Sequence, residues 1–527
     1  MSGPARRVIL CGLDGATWGL LGPLMDAGVM PRLKAALSSG ASGDCHSTLP
    51  PITAPAWTTC VTGMNPGKHG VFTFFTRDPQ TFAPRFVSSA AIRVPTLWSR
   101  LSEKGRRVGV ANVPITYPPE TVNGYMLTGF LTPKGRPYTY PASLQSELDA
   151  AGYRITAPPP RDDDIPEGMA RRWLAELYDV TQRRTETVLE LNRRYDPEFA
   201  MVVYMTPDHV QHPFYKLLDP TQEHYGSKLG DALREPLHRC YAALDDAVAA
   251  YTAALDPDDL LLVCSDHGFG PHDGTLYLNR WLAESGYLKI KKTTMLAQES
   301  RRIARSRLAR RWPGLKARAG GPEAFEDSYI DRDASLAIGG GNAEFAVYAL
   351  RNDAPMAEIA EGLLALRDPH TGGRVVEEAI RREDAYTGPH LGDAPELLLR
   401  MTGDRYSIRS RLITRQRGVF ARNSGPDGEH IRTGVVMAFG GPVVQKERVT
   451  ARLEDLAPTI LYALGEEISS EMDGRALTEI FRDEVTREYA PRIVEEEAKV
   501  SEEEASPYSE QDAAQIAERL ANLGYID

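Results

Sequence analysis

The chain has 527 residues, 42% of them hydrophobic and 25% charged, an ordinary globular composition with room for several domains or one large α/β domain with insertions. Its net charge of −11 excludes the basic footprint that non-specific nucleic-acid binding requires. No run is long and apolar enough to span a bilayer, and the five cysteines (Cys11, Cys45, Cys60, Cys240, Cys264) are odd in number and scattered. Cys11 and Cys264 fall inside strand-like apolar runs, so buried free thiols in a reducing compartment are expected. With no apolar leader before the first strand, the reading is a cytoplasmic protein.

In chain order, the apolar run Val8 to Leu13 predicts a buried strand ending at Asp14-Gly15. A helical pattern follows at Pro31 to Leu37. The stretch Ser47 to Gly70 reads as a loop that delivers Thr53 to the N-cap of a short helix. Pro55 sits just inside that start, Ala56 to Val61 continue it, and Gly63 ends it. A threonine there faces free backbone N–H groups and the positive end of the helix dipole, a setting that favours anions and an alkoxide. Arg107 to Asn112 and Tyr125 to Phe130 predict further strands, with loops at Pro114 to Pro119 and Pro158 to Pro166. Sustained helical periodicity from Gly168 to Tyr195 leads into a strand, Phe199 to Met205, that stops at Thr206-Pro207-Asp208. Another helix, roughly Leu229 to Ala253, precedes the strand Leu260 to Cys264, which stops at Ser265-Asp266-His267-Gly268.

This alternation predicts an α/β fold: a mostly parallel central sheet with helices on both faces. In such sheets the ligand site lies beyond the carboxyl ends of the strands, and Asp14, Asp208 and Asp266 each fall at one. The middle of the chain breaks the pattern. Lys289 to Arg318 is basic, with Arg301, Arg302 and Arg305 interleaved with Ile303, Ala304 and Leu308 at helical spacing. Two readings stand: an arm or lid over the core, or a basic amphipathic helix touching an anionic membrane surface or substrate. Strands are expected again at Ser335 to Ile338, Glu344 to Leu350 and Glu396 to Met401. The division expected is a catalytic domain of residues 1–280 plus 402–490, an inserted cap or lid region at 281–401, and an acidic linker with a C-terminal helix at 491–527. That helix, Gln511 to Leu523, is placed to dock on the body or on a second subunit.

The candidate ligands are Asp and His. Asp208 and His212 are four residues apart just past a strand, which puts both on one face of a helical turn and suits a divalent ion. Asp266-His267 is a second such pair, adjacent in a tight loop. His430 stands in Gly428-Glu429-His430, ahead of a strand at Gly434 to Phe439. Each signal alone is weak, but four of them at strand ends, together with the Thr53 helix, form a pattern chance seldom provides.

Those residues carry a resemblance. Leu13-Asp14-Gly15, Thr53-Ala54-Pro55 through Gly63, Pro66 through Gly70, Asp208 through His212, Ser265 through Gly268 and Gly428 through His430 occur in order. Leu456 through Leu461 and Met472 through Arg475 close the set. The chain resembles the alkaline phosphatase superfamily, in its type I phosphodiesterase/nucleotide pyrophosphatase branch. The resemblance implies two divalent ions, commonly zinc, with manganese or magnesium as alternatives in sites this rich in oxygen. It implies one ion on Asp208, His212 and His430, the other on Asp14, Thr53, Asp266 and His267, and Thr53 as nucleophile toward a small phosphorylated substrate. A phosphothreonine intermediate resolved by water follows from that role.

Where nucleotide pyrophosphatases of this branch carry a phosphate-holding asparagine, this chain has Val71-Phe72-Thr73-Phe74-Phe75. Thr73 and Asn112 are the residues that could substitute, with Asn112 read first as a turn residue. Lys68 reads as solvent-facing before it reads as a phosphate contact, and His272 as either a loop residue or support for the ligands. A sulfatase is excluded, because Thr53-Ala54-Pro55-Ala56-Trp57 lacks both the oxidisable residue and the arginine. A phosphonate hydrolase and a non-catalytic binding protein stand as alternatives.

Overall fold

The computed structural model describes residues 3–78, 82–157, 159–160, 165–291, 330–412, 418–496 and 506–526. The basic stretch beyond residue 291 and the acidic run 497–505 lie outside them. The chain divides into two compact units. The first comprises Met1–Pro271, Tyr386–Ala394 and Gly425–Leu523, and the second comprises His272–Ala385, Pro395–Ser424 and Gly524–Asp527.

The first unit is built on a nine-stranded sheet. In chain order its strands are β1 (Arg7–Leu13), β2 (Ala41–His46), β3 (Val108–Val113), β4 (Gly124–Thr128) and β5 (Thr139–Tyr140). They continue with β6 (Phe199–Tyr204), β7 (Asp259–Cys264), β8 (Thr433–Gly440) and β9 (Lys446–Arg452). Across the sheet the order is β9-β2-β8-β7-β1-β6-β3-β4-β5. The central block β7-β1-β6-β3-β4 is parallel throughout. β8 runs antiparallel to both β7 and β2, and β5 is antiparallel to β4.

The core explains why β1, β6 and β7 read as unbroken apolar runs. Ile9, Cys11 and Leu13 enter one buried cluster with residues of two long helices, while Val8 and Leu10 point to the opposite face and are buried too. The main helices are α1 (Thr53–Thr62), α2 (Glu167–Tyr195), α3 (Thr206–Leu218), α4 (Lys228–Ala253) and α5 (Glu510–Asn522). Leu174, Leu177 and Leu191 of α2 and Leu237, Leu244 and Tyr251 of α4 supply much of that cluster. All five cysteines are buried and unbridged.

The C-terminal helix α5 docks on the first unit. Its Ser509 caps the helix by accepting from Asp512 N–H, and Asp512 receives both arms of Arg136 at 3.0 and 2.8 Å. Ile516 and Leu520 are fully buried beneath it.

One anchor in this unit was not legible as such in the sequence. Asp473 accepts from Asn65 N–H (2.8 Å), from the Asn65 side-chain amide (2.9 Å) and from Lys68 Nζ (2.7 Å), so Lys68 is ion-paired rather than solvent-facing. Asn65 in turn caps the short helix Pro66–His69. Asp473→Ala strands those donors, and we expect a loss of about 1–3 kcal/mol of stability. Denaturant midpoints compared with Asp473→Asn, which keeps one acceptor oxygen, measure it; equal midpoints for alanine and wild type would contradict the anchor.

The second unit holds a four-stranded sheet in the order Ala337–Gly339, Ala346–Ala349, Leu397–Met401, Val376–Arg381. It also holds a three-stranded sheet in the order Tyr406–Arg409, Gly274–Tyr277, Phe420–Arg422. His272 belongs here, with Nε2 2.9 Å from both Gly274 O and the Ser407 hydroxyl, and Nδ1 3.1 Å from the Asn423 amide.

Candidate metal centre

Register decides where the site forms. Leu13 is opposite Tyr204 on one side of β1, and Gly12 is opposite Cys264 on the other. Three adjacent parallel strands therefore end at one level, and Asp14, Asp208 and Asp266 leave the sheet side by side. Gly12 is required by what crosses it: a Cβ there would collide with the buried indole of Trp57. That indole donates to Asp14 Oδ2 at 2.7 Å, so α1 and β1 are fixed to each other at the site. Gly15, at φ +70°, turns the chain so that its N–H donates to Asp266 Oδ1 at 3.1 Å and its carbonyl accepts from the Gln211 amide at 2.8 Å.

The hydroxyl of Thr53 lies 3.4 Å from His267 Nε2. The same nitrogen is 3.3 Å from Asp266 Oδ2 and 3.6 Å from Asp14 Oδ1. On the other side, Asp208 Oδ1 is 3.2 Å from His212 Nε2 and 3.2 Å from His430 Nε2, and the two nitrogens are 3.2 Å apart. Asp208 and His212 share one face of α3, as their spacing predicts. His430 arrives by a route the sequence did not reveal, a two-stranded ribbon in which Gly428–Ile431 pairs with Gly268–Pro271 and Phe269 is opposite His430. The structure thus gathers Asp14, Thr53, Asp208, His212, Asp266, His267 and His430.

The donor set fits divalent cations. Asp14, Asp266 and His267 each place a donor atom within 4.8 Å of the others, and so do Asp208, His267 and His430. His267 therefore reaches both clusters. Asp14 Oδ1 and Asp266 Oδ2 are buried and hydrogen-bond to nothing among the described residues. His430 Nδ1 is 2.8 Å from Pro51 O and His267 Nδ1 is 3.1 Å from Gly268 O, so in both rings Nδ1–H donates outward. Each Nε2 lone pair then faces carboxylate oxygens, an arrangement a cation between them reconciles.

Electrostatics says the same. Burial, followed by the charges of Asp266 and Asp208, pushes Asp14 well above the usual carboxylate range, and burial pushes Asp266 up to about 8. Burial also opposes the charge on Asp208, but His212 and His430 outweigh it and hold that carboxyl well below its usual value. Burial and then the neighbouring His430 depress His267.

Thr53 itself is not the N-cap. Ile52 takes that position in extended geometry (φ −112°, ψ 135°), and Thr53 is the first residue of α1. The first i→i−4 bond of the helix is Ala56 N–H to Ile52 O, so the Thr53 and Ala54 N–H groups precede the ladder. The threonine hydroxyl is thereby turned toward His267 instead of capping. Gly63, at φ +71°, ends the helix as expected.

The family model for Type I phosphodiesterase / nucleotide pyrophosphatase matches residues 8–427 of this chain. The chain belongs to that family. It is accordingly a metal-dependent phosphoester hydrolase of the alkaline phosphatase superfamily. Solved structures with the same fold include phosphonoacetate hydrolase from Sinorhizobium meliloti 1021 in complex with phosphonoacetate. It is 17% identical at a TM-score of 0.53, covering 88% of this chain and 96% of that one. Murine ectonucleotide pyrophosphatase/phosphodiesterase 5, as an inactive variant in complex with AMP, is 13% identical at a TM-score of 0.50. It covers 90% of this chain and 100% of that one. Among curated proteins none matches the sequence.

Within this phosphodiesterase family member, Asn112, one of the two residues that could replace the asparagine, has other surroundings. Asn112, at φ +58° and buried, donates to Ile155 O at 3.3 Å and accepts from the Tyr153 hydroxyl, which is a structural post. Phe72 pairs with Tyr386 at 5.4 Å between ring centroids and Phe74 with Phe130 at 5.9 Å. The Tyr386 hydroxyl donates to Leu49 O, four residues before Thr53, so the Phe72–Tyr386 pair borders the loop that presents the threonine. His69 lies behind that loop. Its Nδ1 accepts from Val71 N–H at 3.2 Å, its Nε2 is 2.9 Å from the Thr59 hydroxyl, and burial lowers its pKa to about 3.

Proposed function

We propose that this family member cleaves a small phosphoester with Thr53 as nucleophile and two divalent ions, zinc being the best match to the mixed Asp/His donors. The observation that carries the reading is the Thr53 hydroxyl 3.4 Å from His267 Nε2, among the described residues the one imidazole within reach of both donor clusters. Asp208, His212 and His430 would hold one ion, and Asp14, Thr53, Asp266 and His267 the other. When bound, such ions would lower the cost of the Thr53 alkoxide and neutralise charge on the leaving oxygen.

The chain's own groups supply the rest. Trp57 and Gly15 hold the Asp14 and Asp266 carboxylates in place, each occupying one oxygen and leaving the other for the site. Pro51 O and Gly268 O set the tautomers of His430 and His267. The opening N–H groups of α1 favour negative charge on transferred phosphoryl oxygens next to Thr53. Attack by the Thr53 oxygen on phosphorus breaks the bond to the leaving oxygen and gives phosphothreonine, and water then displaces threonine to release phosphate or a phosphomonoester. The substrate is a small phosphorylated molecule, and five buried free cysteines fit a reducing, cytoplasmic setting.

The test is a substrate panel on zinc-loaded protein: bis(p-nitrophenyl) phosphate, p-nitrophenyl phosphate and phosphonoacetate. Release of nitrophenol from one of the esters, abolished by chelation and restored by zinc, is the expected result. Turnover of phosphonoacetate with neither ester cleaved would overturn the phosphoester reading in favour of a phosphonate hydrolase.

A further inference from the structure

His209 follows Asp208 directly in α3, yet it takes no part in the chemistry above. It is fully buried, and neither ring nitrogen has a hydrogen-bond partner among the described residues. A buried imidazole left unmatched on both sides is costly and needs a reason. Its ring packs edge-on against Phe130, with centroids 6.4 Å apart.

A cation meets the same ring. The guanidinium of Arg519, on α5, lies 5.8 Å from the Phe130 centroid. Its Nη1 donates to Thr132 O at 3.2 Å, and no carboxylate pairs with it among the described residues. This placement is built rather than incidental. Asp512 of the same helix is clamped by Arg136, Tyr508 stacks on Tyr117 at 5.6 Å, and the Tyr508 hydroxyl donates to Val87 O at 3.1 Å. Arg184, buried in α2, adds a second guanidinium charge near His209. It donates to Val203 O at 2.8 Å and to Ile155 O, again with no acidic partner among the described residues. The charged groups facing His209 are Asp208, His212, Arg184 and Arg519, so Asp208 is the single acid among them.

We propose that His209 and Arg519, meeting at Phe130, form a recognition point for an anionic group of the substrate other than the scissile phosphoryl. The subsite takes a carboxylate or second phosphate, and it makes the C-terminal helix part of the substrate-binding unit. The inference rests on the phosphoester reading only for calling its ligand a substrate. A guanidinium and an imidazole N–H offer an acid charge-assisted hydrogen bonds in a place from which water is largely excluded.

The test is direct binding, by calorimetry, of two non-ester probes to the zinc-loaded full chain: 3-phosphonopropionate and propylphosphonate. Both present a phosphonate, and only the first carries a second acid. Wild type is expected to bind the acid-bearing probe about 10-fold or more tightly than the neutral-ended one, the size of a charge-assisted contact. In Arg519→Gln and in His209→Gln the ratio of the two affinities should fall toward one, and Arg519→Lys should keep part of it. A ratio near one in wild type overturns the proposal without any variant. So does a ratio unchanged in Arg519→Gln, which would assign the arginine to docking of α5 alone. Because these probes are bound and not cleaved, a preserved ratio beside absent ester turnover would fault the catalytic reading and leave the subsite standing.

Discussion

Thr53→Ala should lower turnover of an aryl phosphoester by about 10⁴-fold or more in a zinc-replete assay, the scale seen when an enzyme loses its nucleophile. Thr53 is fully buried at the first position of α1, and its hydroxyl is 3.4 Å from His267 Nε2. The substitution removes one oxygen and keeps the helix start, because Ile52 rather than Thr53 occupies the cap. We therefore expect a stability cost of only roughly 1 kcal/mol, so the lost rate cannot be ascribed to unfolding. Acid-quenched wild type should carry phosphate on Thr53 by peptide mass spectrometry, and the variant should carry none. Retention of wild-type turnover by the alanine variant would end the covalent mechanism.

His212→Ala and His267→Ala should differ in the metal they retain. His212 lies beside Asp208 and His430, whereas His267 has its Nε2 in reach of both donor clusters. After chelation, zinc reloading and gel filtration, elemental analysis should find about one ion per chain in His212→Ala. His267→Ala should hold substantially less, with activity down by more than the ~10–100-fold typical of groups that merely support a ligand. Two ions retained in His267→Ala would contradict the arrangement, since an imidazole assigned to one ion and within reach of both clusters would then be dispensable.

Much of the site was readable before any coordinates. Asp14, Asp208 and Asp266 sit at the ends of strands whose unbroken apolar runs mark them as doubly covered, and that pattern is local. The Asp208–His212 spacing carried its own geometry, because a helix returns to one face after four residues. The strands Ala41–His46 and Lys446–Arg452 were not foreseen. They form one edge of the sheet, where Ser42, Asp44 and Lys446 dilute the apolar signal. The ribbon that carries His430 escaped for a related reason: Gly428–Ile431 and Gly268–Pro271 are four residues each, too short to show a period. Asp473 could be listed among the closing motif but not assigned its partners, since Asn65 and Lys68 are some four hundred residues away in sequence.

By itself, then, the sequence determined the α/β class and the parallel central strands, and it singled out the candidate Asp and His donors and Thr53, because each depends on hydrophobic period, turn chemistry or local spacing. The tertiary structure decided how these combine. Strand register levelled the three aspartates, and Gly12 let Trp57 cross β1 to hold Asp14. The ribbon brought His430 beside His267, with ring centroids 3.6 Å apart, and extended Ile52 displaced Thr53 from the cap so that its hydroxyl faces His267. Apart from the Ile52 cap, each of these is a contact between residues distant in the chain, fixed by packing and hydrogen bonding that no local pattern encodes.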